Sequence, residues 1–309
     1  MIDGAKRAEL IAQDPKNTEI IKPLAVGDDV RKWHIRDSDK WLIFTRRGID
    51  INQYPAIKNH LEQWRDDLSP KQSSSDAKGR KPGRYKWYEI QDDIAYYQAF
   101  EKPKIIYPDI AKESRFAFDA EQHYLGNTIY FIAKNDLFLL AVLNSSIIWT
   151  YCKETLTVLG DADKGGRLRF FRQFVEKIPI PPASDRDKAE IENLVGYVLY
   201  LTAQLKDIPS YGENLMTVAD DKLMLSYFEQ IIDVVVMELY LPDELHTHDK
   251  YFMRHLMQEN LPSLDKVKND KMPTLRSIFQ RLFDREHPIR EGIFFLDSVP
   301  IVRTIRGLK

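Results

Sequence analysis

Apolar and polar positions alternate along this chain in two different ways. Up to about residue 185 the apolar runs are short and their period changes often. "KWLIFTRR", Lys40 to Arg47, is a β-prone run that closes on two arginines, and "KPKIIYPDI" reads as a strand bounded by Pro103 and Pro108. Between them "YPAIKNHLEQWRDDL" predicts a helix with Ile57, Leu61, Trp64 and Leu68 on one face. Pro23 and Gly27 are read as turn punctuation. "AKESRFAFD" alternates across Arg115 to Phe118, "NTIYFIAK" is a further strand, and "NDLFLLAVLNSSIIWTYCKETL" reads as one helix with an Asn/Asp start. "GGRLRFFRQFVEKIPIPP" then supplies a glycine pair, a basic aromatic strand and a proline stop. If 167–171 are extended, Arg167 and Arg169 share one face while Leu168 and Phe170 take the other. The alternative is an amphipathic edge strand whose arginines only keep it soluble.

Beyond Ala183 the period becomes helical and stays so. "DKAEIENLVGYVLYLTAQL" aligns Ile191, Leu194, Val195, Val198, Leu199 and Leu205, and "DKLMLSYFEQIIDVVVMELYL" aligns Leu223, Tyr227, Ile231, Val234 and Leu239. The expected fold is α+β: a mixed-sheet domain over 1–185, then a mainly α-helical region over 186–309.

Composition narrows the function classes. With 309 residues and 43% apolar side chains, the chain can bury one large core or two moderate ones. Formal net charge is only −2, so a polyanion site must be a local patch. Residues 1–185 carry 29 Lys/Arg against 27 Asp/Glu, net +2, and 186–309 carry 16 against 20, net −4. Two stretches are denser: 71–86 holds six cations and one anion, and 164–177 five and one. The lone Cys152 excludes an intramolecular disulfide and sits in an apolar helical run, where a buried thiol is expected. No apolar run reaches ~18 residues, so a membrane partner is not expected and the reading is a cytoplasmic protein.

Enzyme signatures are missing. Neither a Walker loop nor GxGxxG occurs, and no nucleophile elbow is present. His246, His248 and His255 lack a second regularly spaced ligand group, so they read as solvated loop histidines and no metal is expected. Asp92–Asp93 and Asp220–Asp221 read as helix N-terminal charges. Asp109, in "YPDI", has no Glu-x-Lys or Asp-x-Lys after it; it reads as a strand-end carboxylate able to orient a basic neighbour. What the chain does carry is "GRKPGRYKWYEI", Gly79 to Ile90, four basic residues and three aromatic rings in twelve positions. Lys and Arg on phosphates give affinity for nucleic acid, and Arg offers a bidentate fork to guanine. A solvated basic loop with Trp87 in the core is the competing account.

The ordered segments "DPKNTEIIKPLAVGDDV", "YPAIKNHLEQWRDDL", "GRYKWYEI", "FEKPKIIYPDIAKESRFAFD", "NTIYFI", "LFLLAVLNSSIIWTYC" and "RLRFFRQFVEKIPIPP" resemble the TaqI-like specificity domain. That domain is the target-recognition half of adenine-N6 DNA methyltransferases and type IIG restriction-modification enzymes. The resemblance runs from about residue 11 to 183. It implies sequence-specific recognition of double-stranded DNA by a DNA target-recognition domain. It also implies a partner, the methyltransferase or endonuclease catalytic domain, in the same polypeptide or a separate subunit. The family's catalytic half carries a glycine-rich cofactor motif and Asn-Pro-Pro-Tyr; neither occurs here, so S-adenosylmethionine is expected in that other domain and no catalytic residue in this chain. The chain is accordingly read as a C-terminal fragment or a separately encoded specificity half.

By the same resemblance Arg80, Lys81, Arg84 and Lys86 track phosphates or the groove, with Trp87 and Tyr88 fixing the loop. Lys112, Glu113, Ser114 and Arg115 occupy the place of base-reading residues; Glu113 with Arg115 suits a C·G step, and a salt bridge between the two is the alternative. Arg46 and Arg47, and Lys164, Arg167, Arg169 and Arg172 of the second patch, complete the expected contacts. A protein-interaction module whose basic loop meets an acidic partner is the alternative function, and an enzyme with an unrecognised active site a further one.

Overall fold

A computed structural model describes residues 1–73, 76–160, 166–206, 215–268 and 270–308. Nine short strands occur among the described residues: β1 (Ile21–Ala25), β2 (Trp41–Ile43), β3 (Lys104–Pro108), β4 (Ile110–Ala111), β5 (Ala117–Asp119), β6 (Tyr124–Leu125), β7 (Ile129–Ile132), β8 (Thr157–Leu159) and β9 (Arg167–Arg169). They form three three-stranded sheets, ordered β2-β1-β6, β5-β3-β7 and β4-β9-β8, and the class is α+β. The chain divides into two compact units. One comprises Met1–Asp29, Asp37–Pro103 and Asp119–Ile129, the other Val30–Arg36, Lys104–Phe118 and Tyr130–Lys309. Residue 185 marks a change from mixed structure to helix, whereas the compact units divide the chain elsewhere.

In the first unit β1 runs antiparallel to β2, Ile21 opposite Ile43, and parallel to β6, Leu24 opposite Tyr124. Pro23 lies inside β1 and not at a turn. The bonds Leu24 N to Lys40 O and Phe44 N to Ile20 O turn the even-numbered residues toward β2. Pro23 therefore points its missing donor to the other side, where β6 pairs only from Leu24 onward. The core beneath gathers Leu10, Ile21, Ile43, Ile51, Tyr54 and Ile57. The helix expected over 54–68 is two, Pro55–Glu62 and Arg65–Leu68, and Trp64 between them is exposed, edge-on to His60 at 4.9 Å.

The second unit is built around the helix Leu215–Tyr240. Phe228, Ile231, Val235 and Met237 are all fully buried, the pattern of a helix apolar on most sides and packed on most sides. Leu223, expected on its buried face, is exposed. Asp221 in its second turn is buried and pairs side-on with Arg276 at 3.0 and 2.8 Å, so it is an internal ion pair rather than a helix-start charge. Helix Asp185–Leu205 begins at a capping box: the Asp187 N–H donates to Ser184 Oγ and the Ser184 N–H to Asp187 Oδ2.

The single helix expected over 135–156 is also two, Leu137–Leu143 and Ser146–Thr155. Ser145 caps the second, and Asp233 accepts from the Ser146 N–H at 2.6 Å and from its hydroxyl at 2.8 Å. Asn144, freed from the helix, takes the Phe116 N–H at 3.2 Å and gives its amide to the Phe116 carbonyl at 2.8 Å. Cys152 is buried, and burial pushes its thiol up to about 12. His246 is not a solvated loop residue. Its Nε2 lies 2.8 Å from the buried Glu238 carboxylate, and its ring stacks on Tyr251 at 4.6 Å. No described helix is long and apolar enough to cross a membrane.

Candidate nucleic-acid interface

The expected contacts fall into two groups, one in each unit. In the second unit β9 is the middle strand of its sheet, not an edge. Leu168 opposes Ala111 on β4 and Val158 on β8, and Arg169 opposes Ile110 and Thr157. The alternation of β9 settles its faces: Leu168 and Phe170 are buried, Arg167 is exposed and Arg169 half-buried. Arg169 donates from Nε and Nη2 to Asp109 Oδ1 and Oδ2 at 3.4 and 3.3 Å, and its guanidinium lies 4.3 Å from the Phe171 ring centroid. The Phe170 N–H bonds the Asp109 carbonyl at 2.7 Å. Arg172, on the short helix Arg172–Val175, is exposed and pairs with Glu176 at 3.2 Å. Lys164 lies outside the described residues.

The same strand pairing carries β4 directly into the segment 112–115. Lys112 follows Ala111, so the register brings it alongside Arg167. The segment 112–115 thus leaves the sheet next to the strand that carries Arg167 and Arg169. Ser114 is turned inward, its hydroxyl donating to Leu143 O at 2.8 Å and to Asn144 Oδ1 at 3.3 Å. Arg115 donates from Nε to Glu113 Oε1 at 2.9 Å and holds the same oxygen through Nη2 at 2.8 Å. Behind this segment lies a polar cavity of about 380 Å³, with Glu113, Ser114, Lys32, Trp149, Glu229 and Asp233 in its wall.

In the first unit the loop Gly79–Ile90 winds around Tyr85, which is buried and donates to the Lys81 carbonyl. Gly79 sits at φ +106, and a Cβ there would meet the Ser69 carbonyl at 2.7 Å. At Gly83 an added Cβ would lie 2.6 Å from the Tyr85 ring. Arg80 turns inward. It donates to Leu68 O at 2.5 Å and Trp87 O at 2.9 Å, and its guanidinium lies 4.8 Å from the Tyr85 ring. Burial pulls its pKa below the ordinary guanidinium value. Arg47 is likewise engaged, donating to Gln91 O at 2.8 Å. Lys81 is exposed and pairs with Asp92, and Lys86 lies over Tyr88 at 5.7 Å. Arg46 and Arg84 are exposed. Tyr88 packs against the core of this unit, and Trp87 is half-buried with the Arg65 guanidinium 5.2 Å from its ring. The sequence reading missed Glu89, a buried carboxylate that accepts from the Lys86 and Gly48 N–H groups at 2.8 and 2.9 Å and so ties the loop to the turn after β2.

The sequence profile of the TaqI-like C-terminal specificity domain matches residues 22–180, just over half the chain. The chain belongs to that family. It is 27% identical over 167 residues to the type II methyltransferase M.PaeR7I of Pseudomonas aeruginosa, covering 53% of this chain and 28% of that protein. With the type II methyltransferase M.BanIII of Aneurinibacillus aneurinilyticus it shares 24% over 234 residues, 68% of this chain and 38% of the other. With M.MjaIV of Methanocaldococcus jannaschii it shares 27% over 169 residues, 53% of this chain and 52% of the other. The chain therefore spans between about a quarter and a half of these relatives. Its fold is similar to part of the type IIL restriction-modification enzyme MmeI, solved in complex with DNA: TM-score 0.52 and 15% identity, over 84% of this chain and 33% of that one. Both charged patches lie within the matched span, and the long C-terminal helices lie beyond it.

Proposed function

We propose that this chain reads the DNA sequence for a restriction-modification system. In this reading it is the specificity part of a type IIG restriction-modification enzyme or an adenine-N6 DNA methyltransferase. Methyl transfer or cleavage belongs to a catalytic domain outside these 309 residues, and S-adenosylmethionine would bind there. The observation that carries the reading is the pairing of β4 with β9, which ties the start of the segment Lys112–Arg115, directly after β4, to the strand Arg167–Arg169 within a chain of the specificity-domain family. Exposed Lys112 and Arg167 supply charge for phosphates, while Arg115 and Glu113 offer donors and acceptors to base edges. Arg46, Lys81, Arg84, Lys86 and Arg172 are exposed cations available for backbone contacts.

Fluorescence anisotropy of labelled duplexes tests this. Binding should weaken steeply as salt rises, with a slope of about −0.9 per phosphate neutralised, and one duplex sequence should win over random competitors. A chain that binds no duplex at low salt, or binds an acidic protein with the same loop and ignores DNA, overturns the reading.

A further inference from the structure

Among the arginines of the β4-β9-β8 sheet, one is held in a way that separates direction from charge. Asp109 grips Arg169 side-on, through Nε and Nη2. That leaves the other edge of the guanidinium, Nη1 with the second Nη2 proton, as a planar pair of donors. The plane is fixed from a second side by the Phe171 ring, 4.3 Å from the guanidinium carbon. Asp109 is itself fixed: its side chain is only 18% exposed, and its carbonyl accepts the Phe170 N–H. The cross-strand neighbours of Arg169 are Ile110 and Thr157, both exposed, so one apolar and one hydroxyl side chain flank it on the outer face.

Two effects then point in opposite directions. Arg169 and Asp109 together carry no net charge, which makes the pair a weaker phosphate ligand than an arginine without a carboxylate beside it, since backbone affinity depends on charge. The same pairing holds the free edge in one orientation, which suits a partner that rewards geometry. Guanine presents O6 and N7 side by side in the major groove, matched by such a fork. Arg167, two residues along on the same face and without an ion pair among the described residues, has no carboxylate to offset its charge. Arg115 is also held side-on, but by Glu113, whose side chain is 63% exposed.

We propose that Arg169 reads a guanine through its free edge, and that Asp109 is the positioning residue that makes it a reader rather than a phosphate contact. This rests on the DNA reading above. Its test is selection from a pool of randomised duplexes by the 309-residue chain, wild type against Arg169→Lys and Asp109→Asn, with the salt slope measured on the winning duplex.

Arg169→Lys keeps the charge and loses the fork. Preference for guanine at one position should fall about tenfold, with other positions, random-duplex affinity and salt slope unchanged. Asp109→Asn should broaden the same position and steepen the salt slope, because it releases the Arg169 charge to phosphates; a merely structural aspartate would move neither. Unchanged preference at every position in Arg169→Lys, or equal loss on all duplexes, overturns the inference while the DNA reading stands. A wild-type chain with no preferred sequence overturns both. If Asp109→Asn does not fold, Arg169→Lys decides alone.

Discussion

The loop Gly79–Ile90 and the strand Arg167–Arg169 with its flanks look alike in sequence, each a cluster of arginines among aromatic rings. They use their arginines in opposite senses. The loop turns Arg80 inward to satisfy two carbonyls, so that its densest stretch of charge is in part internal framework. The strand keeps a period of two that sends Leu168 and Phe170 into the core and leaves Arg167 outside. The difference comes from the partners within reach. A loop without regular backbone pairing has orphan carbonyls, and a guanidinium with five donors is drawn to them. In a sheet the carbonyls are already paired; Arg167 stays exposed and Arg169 turns to a carboxylate instead of a carbonyl.

The largest expected effect breaks this comparison at the loop. Arg80→Ala removes two charge-assisted bonds and a ring contact, and should cost about 2–3 kcal/mol in urea denaturation. Arg84→Ala, an exposed neighbour, should stay within about 0.5 kcal/mol. Equal effects of the two would mean that the inward bonds of Arg80 hold nothing.

Next comes the strand. Arg167→Glu should weaken duplex binding about tenfold and reduce the salt slope by about 1, with no change in thermal midpoint. A shifted midpoint would make Arg167 part of the framework, as Arg80 is. Reversing Arg169 is a poorer probe, because it would take the partner from Asp109 and add a second carboxylate near it.

The smallest effect is expected from a thiol reagent. With its pKa raised to about 12, Cys152 carries about one thiolate in ten thousand at pH 8, and burial shields the rest. Ellman's reagent should leave wild type and Arg80→Ala unlabelled and react only as the second unit unfolds in urea. Fast labelling of Arg80→Ala would show that the loop's framework also supports the helical unit.

Much of this was legible in the sequence. The strand "RLR" and the helix Asp185–Leu205 follow from apolar period, and "KIIYP" and the helix Leu215–Tyr240 from short and long apolar runs, since these are buried on most sides. The alternation of Arg167 to Phe170 was readable from that period. What period cannot show is where a side chain leaves local structure for a distant backbone. Asn144 and Ser145 sit in an unbroken helical pattern, yet they end one helix and cap the next because Phe116, far away in sequence, needs a donor and an acceptor. The direction of Arg80 depends on carbonyls at Leu68 and Trp87, and the Glu113–Arg115 bond on a turn between strands. His246 likewise finds its carboxylate eight residues back on another helix. Asp109 was readable as a carboxylate able to orient a basic neighbour, since it directly follows a strand, and the Glu113–Arg115 pair was readable as the salt bridge weighed against base reading.

The double bond between Asn144 and Phe116 has a consequence for how such a protein changes over time. Residues 112–115 are pinned at one end by the Ala111–Leu168 pairing and at the other by Asn144, so the chain between has a fixed span and fixed ends. Of its four side chains, Ser114 takes part in those anchors through its hydroxyl, whereas Glu113 and Arg115 bond to each other. Under the proposed DNA reading, substitutions at Lys112, Glu113 and Arg115 should change the preferred sequence on an unchanged scaffold, while changes at Asn144 or Ser114 should be removed whatever the target.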